Sequence, residues 1–230
     1  MAVHRHIFAL ALVGICCSSV SGDDLSEVNA AADRMHSNGK TALMVAAKNG
    51  DNERINALIE QGAKVDEANR NGGTAIMYAA LSGSVDTVSL LIEHRADVNS
   101  AARNGWTALM IASAKDYADI AKLLLERGAT PDHVDVYSWT PLMRAAYEGH
   151  LRTTKLLLEH GVTTLNRRGE NGMTALHLAV LKGKTDIAKL LLSEGADPEI
   201  VDNLGRTALD IAKENKGLEL QKLMKTGVTD

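Results

Sequence analysis

Apolar positions come in two short blocks per period along most of the chain. The first block opens on a threonine and reads Thr41-Ala-Leu-Met-Val-Ala-Ala, then Thr74-Ala-Ile-Met-Tyr-Ala-Ala and Thr107-Ala-Leu-Met-Ile-Ala-Ser. It returns as Thr140-Pro-Leu-Met-Arg-Ala-Ala, Thr174-Ala-Leu-His-Leu-Ala-Val and Thr207-Ala-Leu-Asp-Ile-Ala-Lys, the threonines lying 33, 33, 33, 34 and 33 residues apart. The second block is a compact apolar run: Ala57-Leu58-Ile59, Leu90-Leu91-Ile92, Leu123-Leu124-Leu125, Leu156-Leu157-Leu158 and Leu190-Leu191-Leu192. A fixed period of this length marks a stack of small units rather than one globular core.

The residues around the blocks predict a helix–turn–helix unit. Threonine is a helix N-cap, and Pro141 sits in a first turn, where a missing N–H does no harm. The paired alanines make a thin helix that neighbours can approach closely. Gly50, Gly83, Gly149 and Gly183 readily take positive φ and end the first helix. The leucine-rich second helix closes at Gly62, Gly128, Gly161 and Gly195, and a polar Asn/Asp/Gly segment follows, suited to a projecting turn. The fold class is therefore all-α.

The unit resembles the ankyrin repeat, whose pattern runs Thr-Pro-Leu-His, a helix pair, then Gly-Ala-Asp-Val-Asn. Thr140-Pro-Leu-Met, Thr174-Ala-Leu-His, Ala96-Asp-Val-Asn99 and Gly195-Ala-Asp-Pro198 carry the likeness, which extends over about residues 36–226. It implies an ankyrin-repeat solenoid of helix–turn–helix units with projecting β-hairpin-like turns, in which turn tips and first helices line a concave face. Residues 23–40 read as an N-terminal partial or capping unit. Residues 41–226 read as the array, with repeats starting near 41, 74, 107, 140, 174 and 207, and 227–230 as a C-terminal tail. The last copy replaces its triple-leucine run with Leu218-Glu-Leu-Gln-Lys-Leu223-Met224, as an end repeat facing water should.

Four departures from the pattern predict local weakness. Arg95 and Asp116 stand where other copies have the helix-closing glycine, at about 1 kcal/mol each if the backbone keeps positive φ. Thr153 and Thr154 replace the isoleucine–alanine pair of other second helices, which predicts poorer packing there. One extra residue between Thr163 and Met173, a stretch that carries Arg167, Arg168 and Glu170, predicts a loosened or lengthened connection.

The first 22 residues differ from the rest. A start carrying Arg5, an apolar run from Ile7 to Cys17 and a small polar exit from Ser18 to Gly22 make a secretory signal peptide. As a helix that run would span only ~16 Å, too short to anchor in a membrane. Both cysteines lie inside it, so the mature chain has no disulfide and must be held by burial alone. The expected location is exported, periplasmic or secreted, with no membrane insertion once the signal is removed. A formal charge of −4, mixed in sign along the chain and without a basic stripe, argues against a nucleic-acid partner.

Every Trp and Tyr lies between residues 78 and 147. Trp106 and Trp139 each precede a capping threonine, Tyr137 lies on a projecting turn, and Tyr147 and Tyr78 lie on first helices. Large rigid aromatics dominate protein interfaces, so these five are candidate contacts for a protein partner, with Arg103 and Arg144 beside them. Arg70, Lys115 and Glu148 share the presumed face, and Tyr117, at the start of a second helix, reads as structural.

No catalytic constellation assembles. His36, His94, His133, His150, His160 and His177 are scattered without metal-ligand spacing, and His177 occupies the pattern's own histidine position, where a structural hydrogen bond is expected. No catalytic, cofactor-binding or metal-binding residues are expected, and no cofactor. The sequence reads as a monomeric, non-catalytic protein–protein interaction module acting outside the cytoplasm, protective, inhibitory or accessory in role. The alternatives are a secreted effector engaging a host protein and a scaffold without a tight ligand.

Overall fold

The computed structural model describes residues 39–215 and 217–226. The signal peptide expected at 1–22, all but the last two residues of the 23–40 unit and the 227–230 tail lie outside the described residues. Each repeat contributes two helices. The first helices are α1 (Ala42–Asn49), α3 (Ala75–Ser82), α5 (Ala108–Lys115), α7 (Pro141–Glu148), α9 (Ala175–Leu181) and α11 (Ala208–Glu214). The second helices are α2 (Asn52–Glu60), α4 (Val85–Glu93), α6 (Ala118–Glu126), α8 (Leu151–Glu159), α10 (Thr185–Ser193) and α12 (Leu218–Thr226).

Every first helix starts one residue after a pattern threonine. The hydroxyls of Thr41, Thr107, Thr140, Thr174 and Thr207 accept from the backbone N–H three residues on, satisfying a donor the helix cannot. Thr74 makes no such bond, and its buried hydroxyl has no partner.

The helices form two layers. Paired small residues such as Ala46-Ala47, Ala79-Ala80 and Ala145-Ala146 are buried where first helix meets first helix. Leu58, Leu91, Leu124, Leu157 and Leu191 are fully buried beneath the second helices. Small side chains let the first helices approach each other more closely than the second helices do. The stack therefore bends towards the first helices and the turn tips.

The turns are hairpin-like without forming strands among the described residues. Each closes on a pair of backbone bonds, such as Ala102 N–H to Trp106 C=O with Gly105 N–H to Ala102 C=O, or Asp135 N–H to Trp139 C=O with Ser138 N–H to Asp135 C=O. Successive tips are stitched together through Arg103 to Asn71, Val136 to Asn104, Glu170 to Tyr137 and Asn203 to Asn171. The tips nest so closely that a Cβ on Gly105 would stand 2.5 Å from the Asp135 Cα. Behind them, Asp66, Asn99, Asp132 and Asn166 each accept from the backbone N–H 31 residues later. A repeat is thus hydrogen-bonded to its neighbour at both ends of its helix pair.

Arg95 and Asp116 do take positive φ, 65° and 59°. Ser138 joins them at 58°, in the tip position that glycine fills at residues 39, 72, 105, 172 and 205. The weak packing expected of α8 is not found. Thr153 and Thr154 are fully buried, and their hydroxyls donate to the Asp116 carboxylate and the His150 carbonyl. The long connection is tied down as well. Asp132 receives both the Thr163 and Thr164 hydroxyls, and Arg168 donates to the Gly172 carbonyl and the Asn203 side chain. Burial pushes the Asp132 carboxyl up, but these donors hold it below the usual range.

Candidate partner-binding face

Two positions set the chemistry of the second and fourth turns: the residue five before the capping threonine and the residue four after it. In the second repeat they are Asn69 and Tyr78. Asn69 accepts the Asn71 and Gly73 N–H groups that shape the turn, and its amide donates to the Tyr78 hydroxyl 2.9 Å away. Burial raises the Tyr78 pKa, and the bond from Asn69 pulls it partly back.

In the fourth repeat the same positions hold Asp135 and Arg144. One carboxylate oxygen accepts from the Tyr137 and Trp139 N–H groups at 2.9 and 3.0 Å, and the other pairs with the Arg144 guanidinium. That guanidinium lies between two indoles, 4.8 Å from the centre of Trp106 and 4.4 Å from that of Trp139. Trp139 in turn packs on Tyr147 at 5.5 Å and 52°, and the Lys182 ammonium stands 4.5 Å from the Tyr147 ring. One chain of aromatic and cation contacts, Trp106–Arg144–Trp139–Tyr147–Lys182, thus runs along the first helices. A cation over an aromatic face is worth about 0.5–2 kcal/mol, more as water is excluded.

The structure brings Trp106, Trp139, Tyr147 and Arg144 together and leaves Tyr78 apart, beneath Lys40. Burial divides the aromatics sharply. Trp106 and Trp139 are only 8% and 7% exposed, and Tyr147 and Tyr78 are more deeply buried still. These four offer a partner little area and act mainly as the base of the face. Tyr137 is 54% exposed and its neighbour Val136 56%. Together they form an apolar tip where the second and third repeats present Arg70-Asn71 and Arg103-Asn104 and the sixth presents Asn203 and an exposed Leu204. Arg103 is exposed on the adjoining tip. Tyr117 packs over Gly83, as its structural reading implied.

Sequence reasoning missed Asp135, Val136 and Lys182. A signal for the first existed: Arg144 is the one charge at a position otherwise held by Val45, Tyr78, Ile111, Leu178 and Ile211, so a counter-charge had to lie near. The histidines hold the stack. His177 is buried, its Nε2 on the Arg206 carbonyl and its Nδ1 beside the Thr174 N–H, and burial lowers its pKa. His133 and His150 reach the carbonyls of Gly105 and Ala114 in the preceding repeats. Among the described residues no three His, Cys, Asp or Glu side chains converge as a metal site. None of the described helices is long and apolar enough to cross a membrane.

The chain matches the family description "Ankyrin repeats (3 copies)" over residues 11–102 and 99–168 and "Ankyrin repeats (many copies)" over 157–212. Among curated proteins it is 46% identical over 66 residues to the mitochondrial disaggregase of Rattus norvegicus, 28% of this chain and 9% of that protein. It is 40% identical over 67 residues to neurogenic locus notch homolog protein 1 of Xenopus tropicalis, 28% of this chain and 3% of that one. The aligned part is thus less than a tenth of either relative. Solved structures match over about four fifths of this chain and nearly all of their own. One ankyrin repeat protein is 32% identical with a TM-score of 0.74, over 80% of this chain and 96% of its own. An ankyrin repeat domain from Acinetobacter baumannii gives the same identity and TM-score over 80% and 95%. A chain from the complex of a predatory endopeptidase of Bdellovibrio bacteriovorus with an immunity protein is 28% identical, with a TM-score of 0.75 over 82% and 99%.

Proposed function

The chain belongs to the ankyrin-repeat family, and on that premise we propose that it is a non-catalytic protein-binding module that acts outside the cytoplasm. Repeats of this family are protein–protein interaction modules. The partner docks on the turn tips and first helices, with the Val136–Tyr137 tip as its anchor.

That tip carries the reading. Two apolar side chains project at the most exposed part of the turn, and Ser138 holds a conformation that glycine fills in the other described tips. Neither choice favours the stability of the free chain. Strain and exposed apolar surface are maintained together where a partner covers them. The buried Trp106–Arg144–Trp139 stack beneath gives the tip a rigid base, which lowers the entropy lost on docking.

The role is protective or inhibitory, or else accessory to an enzyme of the same compartment. The similarity to a chain of an endopeptidase–immunity protein complex favours the first, since that assembly joins a predatory enzyme to an immunity protein. Export rests on the N-terminal segment alone. An effector aimed at a host protein is the alternative for a secreted chain. A scaffold without a tight ligand would leave the Val136–Tyr137 tip unexplained.

The test is affinity capture of the full chain in extracts of the producing organism, followed by purification of the complex. A single partner at defined stoichiometry is expected, with affinity lowered at least about thirtyfold by Val136→Ser with Tyr137→Ser, as for an interface hot spot. An unchanged affinity removes the tip from the interface. Fractionation tests export: chain retained wholly in the cytoplasm overturns it.

A further inference from the structure

Charge looks mixed along the chain, but the fold segregates the carboxylates in space. In the first three repeats the tips and first helices span residues 39–49, 68–82 and 101–115. They carry Lys40, Lys48, Arg70, Arg103 and Lys115 and not one carboxylate. The intervening stretches, 51–67, 84–100 and 116–134, hold the second helices and their exits, and there acidic residues outnumber basic ones by more than two to one. The basic residues divide between the two layers, whereas every carboxylate of these repeats lies in the outer one, which leaves the inner face positive. A chain of net charge −4 thus presents a cationic inner face over three of its six repeats. The sequence showed no basic stripe because the sign alternates with every helix.

Helix electrostatics explain only part of this. Lys48 and Lys115 sit in last turns, where a cation favours the helix dipole. Arg70 and Arg103 are on turn tips, beyond any helix, and both are exposed. Among the described residues none of Arg70, Arg103 and Lys115 has an ion-pair partner. The pattern changes at the fourth repeat. There Asp135 neutralises Arg144, and the apolar Val136–Tyr137 tip begins.

We propose that the inner face of the first three repeats receives an acidic, carboxylate-rich segment of the protein partner, beside the apolar anchor at Val136 and Tyr137. This rests on the protein-binding reading and names the chemistry of what is bound. Complementary potentials steer encounter and reject wrong partners. A duplex fits the face poorly: it offers one charge per about 1.7 Å, whereas packed helices, and hence the cations of successive repeats, stand roughly 8–10 Å apart. Carboxylates spaced along a folded or extended polypeptide match that interval.

The experiment is fluorescence anisotropy with a labelled glutamate homopeptide long enough to cross three repeats, at low and at physiological ionic strength. A single-stranded oligonucleotide of equal charge runs in parallel. Despite the net negative charge of both partners, the homopeptide is expected to bind the full chain and to weaken with salt. Arg70→Glu with Arg103→Glu and Lys115→Glu should weaken it at least about tenfold. All three side chains are exposed, so the triple variant should keep the parent circular dichroism spectrum and melting curve. Glu93→Lys with Glu126→Lys, on the outer layer, should leave binding to the inner face intact. No binding, binding indifferent to the triple reversal, or an oligonucleotide bound as tightly as the peptide each overturns the proposal. The parent reading fails separately. A captured protein that is lost on tip substitution but insensitive to the triple reversal sinks the acidic segment and leaves protein binding standing. Peptide bound at the inner face with no protein captured does the reverse.

Discussion

Arg144 neutralises Asp135 in the fourth repeat where, in the second, Tyr78 accepts a hydrogen bond from Asn69. The two pairs occupy equivalent positions, five before and four after the capping threonine, so the protein contains a charged and an uncharged solution to one packing problem. The Asp135 side chain is fully buried and that of Arg144 is 18% exposed. Removing the cation strands a buried carboxylate. Arg144→Tyr should therefore destabilise the stack by about 2 kcal/mol or more. Asp135→Asn with Arg144→Tyr copies the second-repeat pair and should recover part of that loss. In urea titrations the coupling energy should be on the order of 1–3 kcal/mol. Strictly additive effects would mean that the two residues do not depend on each other.

Backbone strain offers gains in stability. Arg95 and Ser138 hold φ of 65° and 58° at positions that glycine fills in other repeats. Arg95→Gly and Ser138→Gly should each raise stability by about 0.5–1 kcal/mol, by relief of the left-handed penalty. Asp116→Gly should gain less, because Asp116 also accepts from the Thr153 hydroxyl. Thermal melts of the three variants check the order. If Ser138→Gly stabilises the chain and leaves partner affinity unchanged, the strain at the tip has no role in docking.

Acid should weaken the fold in two stages. His177 is fully buried and its pKa is lowered by desolvation; the Arg206 carbonyl and the Asp202 charge oppose that shift, and the Arg168 charge reinforces it. The unfolded chain takes up a proton there from about pH 6.5 downward while the folded chain resists, so the unfolded state binds more protons and stability falls in that window. Asp132 and Asp202 are held below 3.8, and Asp210 lies at about 2. Their contribution is complete above the ordinary carboxyl range and is lost as pH drops through the folded values. Earlier repeats place Met44, Met77, Met110 and Met143 where His177 stands. His177→Met should flatten the first stage of a melting-temperature profile and leave the second. A first stage that persists unchanged would place its origin elsewhere.

The architecture was legible because a repeat writes it six times. Thr41, Thr74, Thr107, Thr140, Thr174 and Thr207 each precede a first helix, and α1, α3 and α7 end at Gly50, Gly83 and Gly149 and α5 at Asp116, which replaces one. The site was harder to read. Trp106 and Trp139 were selected as aromatics at equivalent positions, which fixes their column but not whether they face solvent or a neighbour. Arg144 settled that by drawing both indoles inward, and its pairing with Asp135 spans nine residues across the helix start, a relation that no helical period reveals. The packing expected to fail at Thr153 and Thr154 held because two hydroxyls found acceptors in adjacent structure. The sorting of charge between layers was hidden for a similar reason. A sequence is read along the chain, whereas the inner face is assembled from every second helix.

Site-specific photo-cross-linking tests the central claim most directly. A photoreactive phenylalanine analogue replaces Tyr137 at the exposed tip or, for comparison, Lys122 on the outer surface of α6, and each full chain is irradiated in extract of the producing organism. Position 137 is expected to yield one discrete protein adduct, competed away by unlabelled parent chain, while position 122 yields none. The same adducts from both positions, or none that the parent chain displaces from 137, would contradict partner binding through the turn tips and first helices.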